Sequence, residues 1–145
     1  MANATMEKFG YPATLVREYE HWVVLLRPSQ VTLGSLILAA KSLSTAFGQL
    51  PAAAHAELAT ITAEIEGTLT EVIGYERINY LMLMMVDPHV HFHIFPRYEG
   101  TRAIENVELA DSGWPGPPDL KAGCQIEAGP FARLKAQLTE KMAIN

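Results

Sequence analysis

Between residues 14 and 40 apolar and polar positions alternate and then give way to unbroken apolar runs. "TLVREYEHWVVLLRP" passes from the first pattern into the second, and after a short Pro/Ser/Gln turn "LGSLILAAKS" is apolar again. This predicts paired strands over residues 14–27 and 33–40, both in one sheet. The period then changes. From Pro51 to Ile73, Leu58, Ile61, Ile65, Leu69 and Val72 recur at steps of three and four, which places them on one face of a helix. Pro51 suits its first turn and Gly74 its C-terminal stop. This is the main helix, and its stripe faces the sheet.

Extended character returns in "RINYLMLMMVDPHVHFHIFPRYE", two runs separated by "VDP". The segment reads as a hairpin with a tight turn that leaves little room between the strands, and "LMLMM" reads as core. "DSGWPGPPDLKAG" is a Gly/Pro-rich loop, and Phe131, Leu134, Leu138 and Met142 outline a short C-terminal helix after Gly129 and Pro130. There is no repeat, low-complexity tract or domain boundary, so residues 1–145 are expected to form one α+β domain. A chain of this length buries roughly two-thirds of its unfolded surface without disulfides or a structural metal.

Composition narrows the function classes. With 11 Lys plus Arg against 16 Asp plus Glu and no basic cluster, a long nucleic-acid footprint is not expected, although a small anionic ligand depends on local groups. The longest apolar run, "VTLGSLILAA", falls well short of the ~20 residues of a membrane span. "MANATMEKFG" lacks a basic segment followed by an apolar stretch. The single Cys124 cannot form an internal disulfide and fits a reducing compartment. These features predict a cytoplasmic protein that is neither exported nor membrane-bound.

The candidate chemistry lies in "HVHFHIFPRY", residues 89–98, which holds three of the five histidines at alternate positions. On a strand, His89, His91 and His93 share one face, with Val90, Phe92 and Ile94 on the other. His21 and His55 read as a strand-face and a helix-surface residue. Strand rise separates His89 from His93 by about 13 Å, so the three do not converge on one tetrahedral ion. A metal would use two of them and more distant ligands, Asp87 or Glu99 being nearest in sequence, and no metal site is assigned. A solvated strand face accounts poorly for three imidazoles in a row when the chain has only two others. Phosphoryl or nucleotidyl transfer uses the row fully: the middle imidazole attacks phosphorus, and its neighbours donate hydrogen bonds to the oxygens and the departing group.

"HVHFHIF" resembles the His-apolar-His-apolar-His-apolar-apolar motif of the histidine triad superfamily. The following "PR" looks like the branch that cleaves dinucleoside polyphosphates. The similarity spans about residues 14–100: "VTLGSLILAAKSLSTAFGQLP" is similar to the family's strand leading to its helix, and "YERINYLMLMM" sits where its next strand lies. Residues 101–145 form a C-terminal loop and helix beyond that core.

The resemblance implies an antiparallel sheet with one long helix, a homodimer, and attack on a nucleotide's α-phosphorus to give a nucleotidyl-histidine that water hydrolyses. His91 would be the nucleophile, while His89 and His93 bind oxygens and assist proton transfer. Leu25, Arg27 and Leu36 would line the base and ribose pocket, and Asn79 and Arg97 would add contacts to the nucleotide. The implied substrate is a dinucleoside polyphosphate or a nucleoside phosphoramidate. No cofactor is required, and a divalent cation has a place only beside a polyphosphate.

The chain also departs from the pattern. "MVDPH" leaves no room for the longer connection that precedes the motif in many members. Met82 and Leu83 stand where Gln and Asn often meet the phosphate, and Ser35 stands where a further histidine follows the turn glycine. Arg97, Arg102, Lys41 or Asn79 would compensate, and "GWPGPPDL" would fold over the site with Trp114 as a stacking surface. The alternative reading is a nucleotide-binding module with weak or no turnover. For the dimer, Ala52, Ala53, Ala56, Ala59, Ala63 and Ile73 lie off the helix stripe and would let a second helix approach.

Overall fold

The computed structural model describes residues 2–145. Its elements in chain order are α1 (Ala4–Lys8), β1 (Leu15–Glu18), β2 (Trp22–Leu26), β3 (Ser29–Gln30), β4 (Leu36–Ala40), α2 (Ala52–Val72), β5 (Arg77–Leu81), β6 (His91–Arg97), β7 (Thr101–Ile104), β8 (Val107–Ala110), β9 (Cys124–Gln125) and α3 (Ala128–Ile144). Five strands form one antiparallel sheet in the order β1-β2-β4-β6-β5, giving an α+β fold. β2 and β4 are fully buried along their length, which explains their continuous apolar sequences: a strand covered on both faces has no polar side to alternate with.

The two coverings differ. On one face Val24, Leu26, Leu36, Leu38, Ile94 and Tyr98 pack under Ile61, Ile65 and Leu69 of α2 and Leu134, Leu138 and Met142 of α3. On the other, Val23, Leu25, Ile37 and Ala39 lie beneath Met6 and Phe9, so α1 and the residue after it cover the centre of that face. The main helix runs as its periodicity requires and ends at Gly74, whose φ of +71° gives the left-handed turn that other residues resist. Gly34 also has a positive φ, and a Cβ there would come within 2.9 Å of Ile73 Cγ1. The start of β4 is thereby pressed against the end of α2. Ile73 is buried in this contact and is not part of a free helix face.

Several expected boundaries shift. Residues 14–27 form two strands, because the chain turns at 19–21 and β1 pairs back on β2. His21 sits in that turn ahead of β2, its backbone N–H donating to Glu57 Oε1. β5 ends at Leu81 and β6 begins at His91, so the connection is the open loop 82–90 and not a tight turn at "VDP". Met84, with φ of +37°, turns the chain out of the extended conformation. "LMLMM" is consequently core only in part: Leu81 ends β5 and Met82 and Met84 pack half-buried against the core, but Met85 is 83% exposed and Leu83 45%.

The C-terminal third contains a hairpin, β7–β8, that the sequence reading missed. Its turn residues Glu105 and Asn106 both have positive φ, without the glycine that marks such turns. β9 pairs with β3. α3 is longer than expected, starting at Ala128 with Gly129 and Pro130 in its first turn. No helix among the described residues is long and apolar enough to cross a membrane.

Candidate functional site

β6 carries two of the three histidines into the face that α1 covers. Its alternation sends Phe92 and Ile94 toward the helical layer, and His91 and His93 to the opposite side, where both rings meet Phe9 at centroid distances of 5.7 and 5.6 Å. The two imidazoles are 5.0 Å apart, edge to face. His89 precedes the strand and belongs to the loop. The row is therefore two strand histidines and one loop histidine, since β6 begins pairing with β4 at His91, opposite Ala39.

Hydrogen bonds fix the proton positions. His91 Nδ1 lies 2.8 Å from the His89 carbonyl oxygen; a carbonyl only accepts, so Nδ1 bears the proton and neutral His91 keeps its lone pair on Nε2. His89 Nδ1 likewise donates to the Leu43 carbonyl at 2.9 Å. His93 is set the other way. Arg27 Nε donates to His93 Nδ1 at 3.3 Å, which leaves the proton of neutral His93 on Nε2. Burial, then the positive charge of Arg27 and the neighbouring His91, push the His93 pKa down to about 4, with Asp87 opposing weakly. Neutral His91 thus offers a lone pair on Nε2 and His93, beside it, an N–H. Burial also pulls Arg27 below its ordinary value, but a guanidinium stays cationic at neutral pH.

The depressed pKa makes stability pH-dependent. Between about 4 and 6.5 the unfolded chain binds a proton at this position that the folded protein refuses. The contribution of neutral His93 is complete above pH 6.5 and is lost as pH falls toward 4. The thermal midpoint of the wild type is expected to drop over that window. In His93→Gln, which cannot titrate, the drop is expected to be smaller; equal slopes would refute the assignment.

Three segments meet around the histidines. α1 is tied to the end of β4 by Asn3, whose side-chain amide donates to Ala40 and Ser42 carbonyls at 2.9 Å. The segment after β4 is tied to loop 82–90 through His89 and Leu43. The loop is tied back to α1 by Lys8 and Asp87, 3.3 Å apart. Between the loop and β6 lies a cleft of about 160 Å³ lined by Leu83, Met84, Met85, Val86, Asp87, His91 and His93. Larger clefts lie elsewhere, about 480 Å³ beside Trp114 and about 540 Å³ between β8, β9 and α3, but neither holds a histidine.

The other candidate residues are distributed unevenly. Arg27 reaches the site through His93 and also donates to the Ser29 carbonyl. Leu25 lies on the histidine face, sealed beneath Met6 and Phe9. Leu36 is on the helical side of the sheet, one residue out of phase with the histidine face. Arg97 is six residues beyond His91, about 20 Å along the strand, and is bound on every side. It pairs with Asp111 through Nε at 2.7 Å and Nη2 at 3.1 Å, and donates to Asn79 Oδ1 and the Gly116 carbonyl. Asn79 is occupied by that contact. Lys41 pairs with Glu18, and Arg102 donates to the Gly74 carbonyl. Trp114 shares a cleft with Arg77 and Arg97, so it stands at the far end of β6 and does not cover the histidines. Ser35 is fully buried and closes a turn with Thr32.

Phe9, Lys8 and the wall formed by Leu83, Met85 and Val86 escaped the sequence reading. Only the isolated "MEKF" at the N-terminus hinted at an amphipathic turn, and nothing local indicates which face it covers. Among the described residues, no three His, Cys, Asp or Glu side chains gather closely enough to hold a metal ion.

No family model matches the sequence, and no curated protein matches it. Solved structures do. A histidine triad protein from Sinorhizobium meliloti superposes with a TM-score of 0.76 at 20% identity, over 97% of this chain and 96% of that one. A histidine triad protein from Bradyrhizobium japonicum gives 0.75 at 17% identity, over 98% and 97%. A histidine triad family protein from Mycobacterium smegmatis, described as Zn-bound, gives 0.57 at 18%, over 92% and 89%. The likeness is one of fold: five-stranded antiparallel sheet, long helix and C-terminal helix correspond over nearly the whole chain.

Proposed function

We propose that this chain, which has the histidine triad fold, is a nucleotide hydrolase or nucleotidyl transferase working through His91. The observation that carries this reading is the hydrogen bond from His91 Nδ1 to the His89 carbonyl, which leaves Nε2 as the free nucleophilic atom beside the His93 N–H. Attack by Nε2 forms a nitrogen–phosphorus bond as the bond to the departing group breaks. The His89 carbonyl accepts from Nδ1 throughout and so favours the positive charge that develops on the ring. His93 donates Nε2–H to a phosphoryl oxygen, and His89, once protonated on Nε2 as well as on the Nδ1 that the Leu43 carbonyl holds, passes the Nε2 proton to the departing group. Water then attacks the phosphorus and gives up a proton to His89 Nε2 as the nitrogen–phosphorus bond breaks, releasing the nucleoside monophosphate and restoring neutral His91.

The test is incubation with diadenosine polyphosphates and adenosine phosphoramidate, with chromatography for released nucleoside monophosphate. Acid quenching should trap a phosphorus-labelled protein whose label is lost on brief heating at low pH. Absence of both product and labelled protein would refute the enzyme reading. A binding module with slow turnover is favoured by one observation: Arg97, Arg102, Lys41 and Asn79 all have partners within the chain, leaving Arg27 as the cation touching the triad.

In this reading catalysis is organic. Chelator treatment is expected to leave phosphoramidate turnover unchanged, and loss of activity together with stoichiometric zinc in the untreated protein would move the chemistry to a metal. The active unit is a homodimer. Ala52, Ala53, Ala56, Ala59 and Ala63 remain exposed along α2, a flat surface that lets a second helix approach. Light scattering at micromolar concentration is expected to give twice the 16.0 kDa of one chain; a single-chain mass would remove the dimer.

A further inference from the structure

The face of the sheet that carries His91 and His93 continues along β6 and β5 to a second cleft. Register places Arg77 opposite Arg97 and Asn79 opposite Phe95, so both β5 side chains stand on that face. The cleft measures about 480 Å³, and Ile78, Trp114, Pro115 and Pro117 wall it together with Arg77 and Asn79. That volume falls within the roughly 300–1,000 Å³ of small-molecule sites, and the sequence motif of the histidines does not reach it.

The polar side-chain groups left open on its walls are donors. Arg17, Arg97, Arg102 and Arg133 each pair with a carboxylate, and Arg27 is engaged with His93 and the Ser29 carbonyl. Arg77 has only the Glu76 carbonyl, which its Nη1 meets at 3.0 Å; among the described residues no carboxylate lies within ion-pair distance of it. Arg97 Nη1 donates to Asn79 Oδ1 at 2.7 Å. A guanidinium never accepts, so the Asn79 oxygen is turned toward Arg97 and its NH2 group away. Neither that NH2 group nor the Trp114 indole N–H meets an acceptor among the described residues, and neither is sealed from the surface. No Asp or Glu lines the cleft. Asp111 neutralises Arg97 from behind and also accepts from the Tyr98 and Gly113 backbone N–H groups. Arg77 therefore leaves one uncompensated positive charge here, on a chain whose formal net charge is -5.

The opposite wall is apolar and set in advance. The Trp114 backbone N–H donates to the Asp111 carbonyl at 3.2 Å and that of Gly116 to the Gly113 carbonyl at 2.7 Å. The Gly116 carbonyl accepts from Arg97 Nη2 at 2.8 Å, so the buried ion pair fastens residues 113–117 beside β5. Indole and proline rings offer flat surfaces, against which a planar ligand gains most. We propose that this cleft binds a small arylcarboxylate, its ring against Trp114 and the prolines and its carboxylate on Arg77 and the Asn79 amide. A guanidinium fork matches the two oxygens of a carboxylate. One positive charge balances a monoanion, whereas a phosphate ester would bring a second negative charge that no cation meets. No group of the histidine row takes part, so the site stands or falls independently of the nucleotidyl-transfer reading.

Titration with naphthoate, followed by calorimetry and by proton–nitrogen correlation spectra, tests the site. The chain has two indole N–H groups. That of Trp22 is buried and donates to the Ala54 carbonyl, so only the Trp114 signal is expected to move. Naphthamide, which keeps the rings and lacks the charge, is expected to bind at least about tenfold more weakly, the scale of a hydrogen bond to a charged group. Arg77→Met should weaken naphthoate binding by at least about tenfold as well. Arg77 is exposed and bonds only to its neighbour's carbonyl, so the variant should melt as the wild type does. No binding at millimolar naphthoate, equal binding of acid and amide, or displacement by equimolar inorganic phosphate would overturn the proposal. Shifts confined to His91 and His93, with the Trp114 signal unmoved, would also overturn it, because the acid would then occupy the histidine cleft.

Discussion

His91→Ala is expected to reduce nucleotidyl release from the best substrate by at least about 1,000-fold, the scale on which removal of a covalent nucleophile acts, while leaving nucleotide affinity within a few-fold. Two features make the expected loss this large. His91 is 2% exposed and held by the His89 carbonyl, so no other side chain can swing into its place. His93 cannot substitute, because its Nδ1 accepts from Arg27 and its Nε2 carries a proton. Arg27→Ala should lower activity less, by releasing His93 from its tautomer, and should raise the pKa of His93 by removing a neighbouring positive charge. Single-turnover chemistry with labelled substrate measures the first effect, and a pH profile of the Arg27 variant the second. Wild-type turnover in His91→Ala would disprove the nucleophile assignment outright.

Asp111→Ala is expected to destabilise the protein by about 3–5 kcal/mol, the cost of leaving a buried charge without its partner. Arg97 and Asp111 side chains are only 4% and 1% exposed, and the carboxylate also accepts from the Tyr98 and Gly113 backbone N–H groups. The pair fastens the segment after β8 to the end of β6. Against the roughly 5–15 kcal/mol that hold an average domain together, such a loss consumes a large share of the total. Denaturant unfolding of the single variant and of Arg97→Met/Asp111→Leu distinguishes the causes. The double variant should recover much of the loss, because apolar replacement of both partners strands no charge. A single-variant change under about 1 kcal/mol would show the pair to be no stronger than a surface contact.

Arg97 also illustrates the limit of reading a motif in one dimension. In sequence it follows the histidines and is as well suited to phosphate as any guanidinium; in the fold a carboxylate fourteen positions later has already claimed it. Trp114 travels with that carboxylate to the same end of the sheet.

The sequence by itself determined the elements whose signal is local. Continuous apolar runs encode β2 and β4, three- and four-residue spacing encodes α2 from Ala52 to Val72, and alternation in 91–97 encodes a strand with His91 and His93 on one face. Each follows from backbone geometry alone, which maps a repeat of 2.0 or 3.6 onto a face. Only the tertiary structure decided what lies opposite those faces. The register of β6 against β4 and β5, set by long-range pairing, left His89 and residues 82–85 outside the sheet. The packing of α1 across β2 and β4 brought Phe9 to the histidines from some eighty residues away in the chain. A periodicity states that a face is apolar, but which apolar face covers it depends on the competition among all of them, and that competition is settled only when the whole core is assembled.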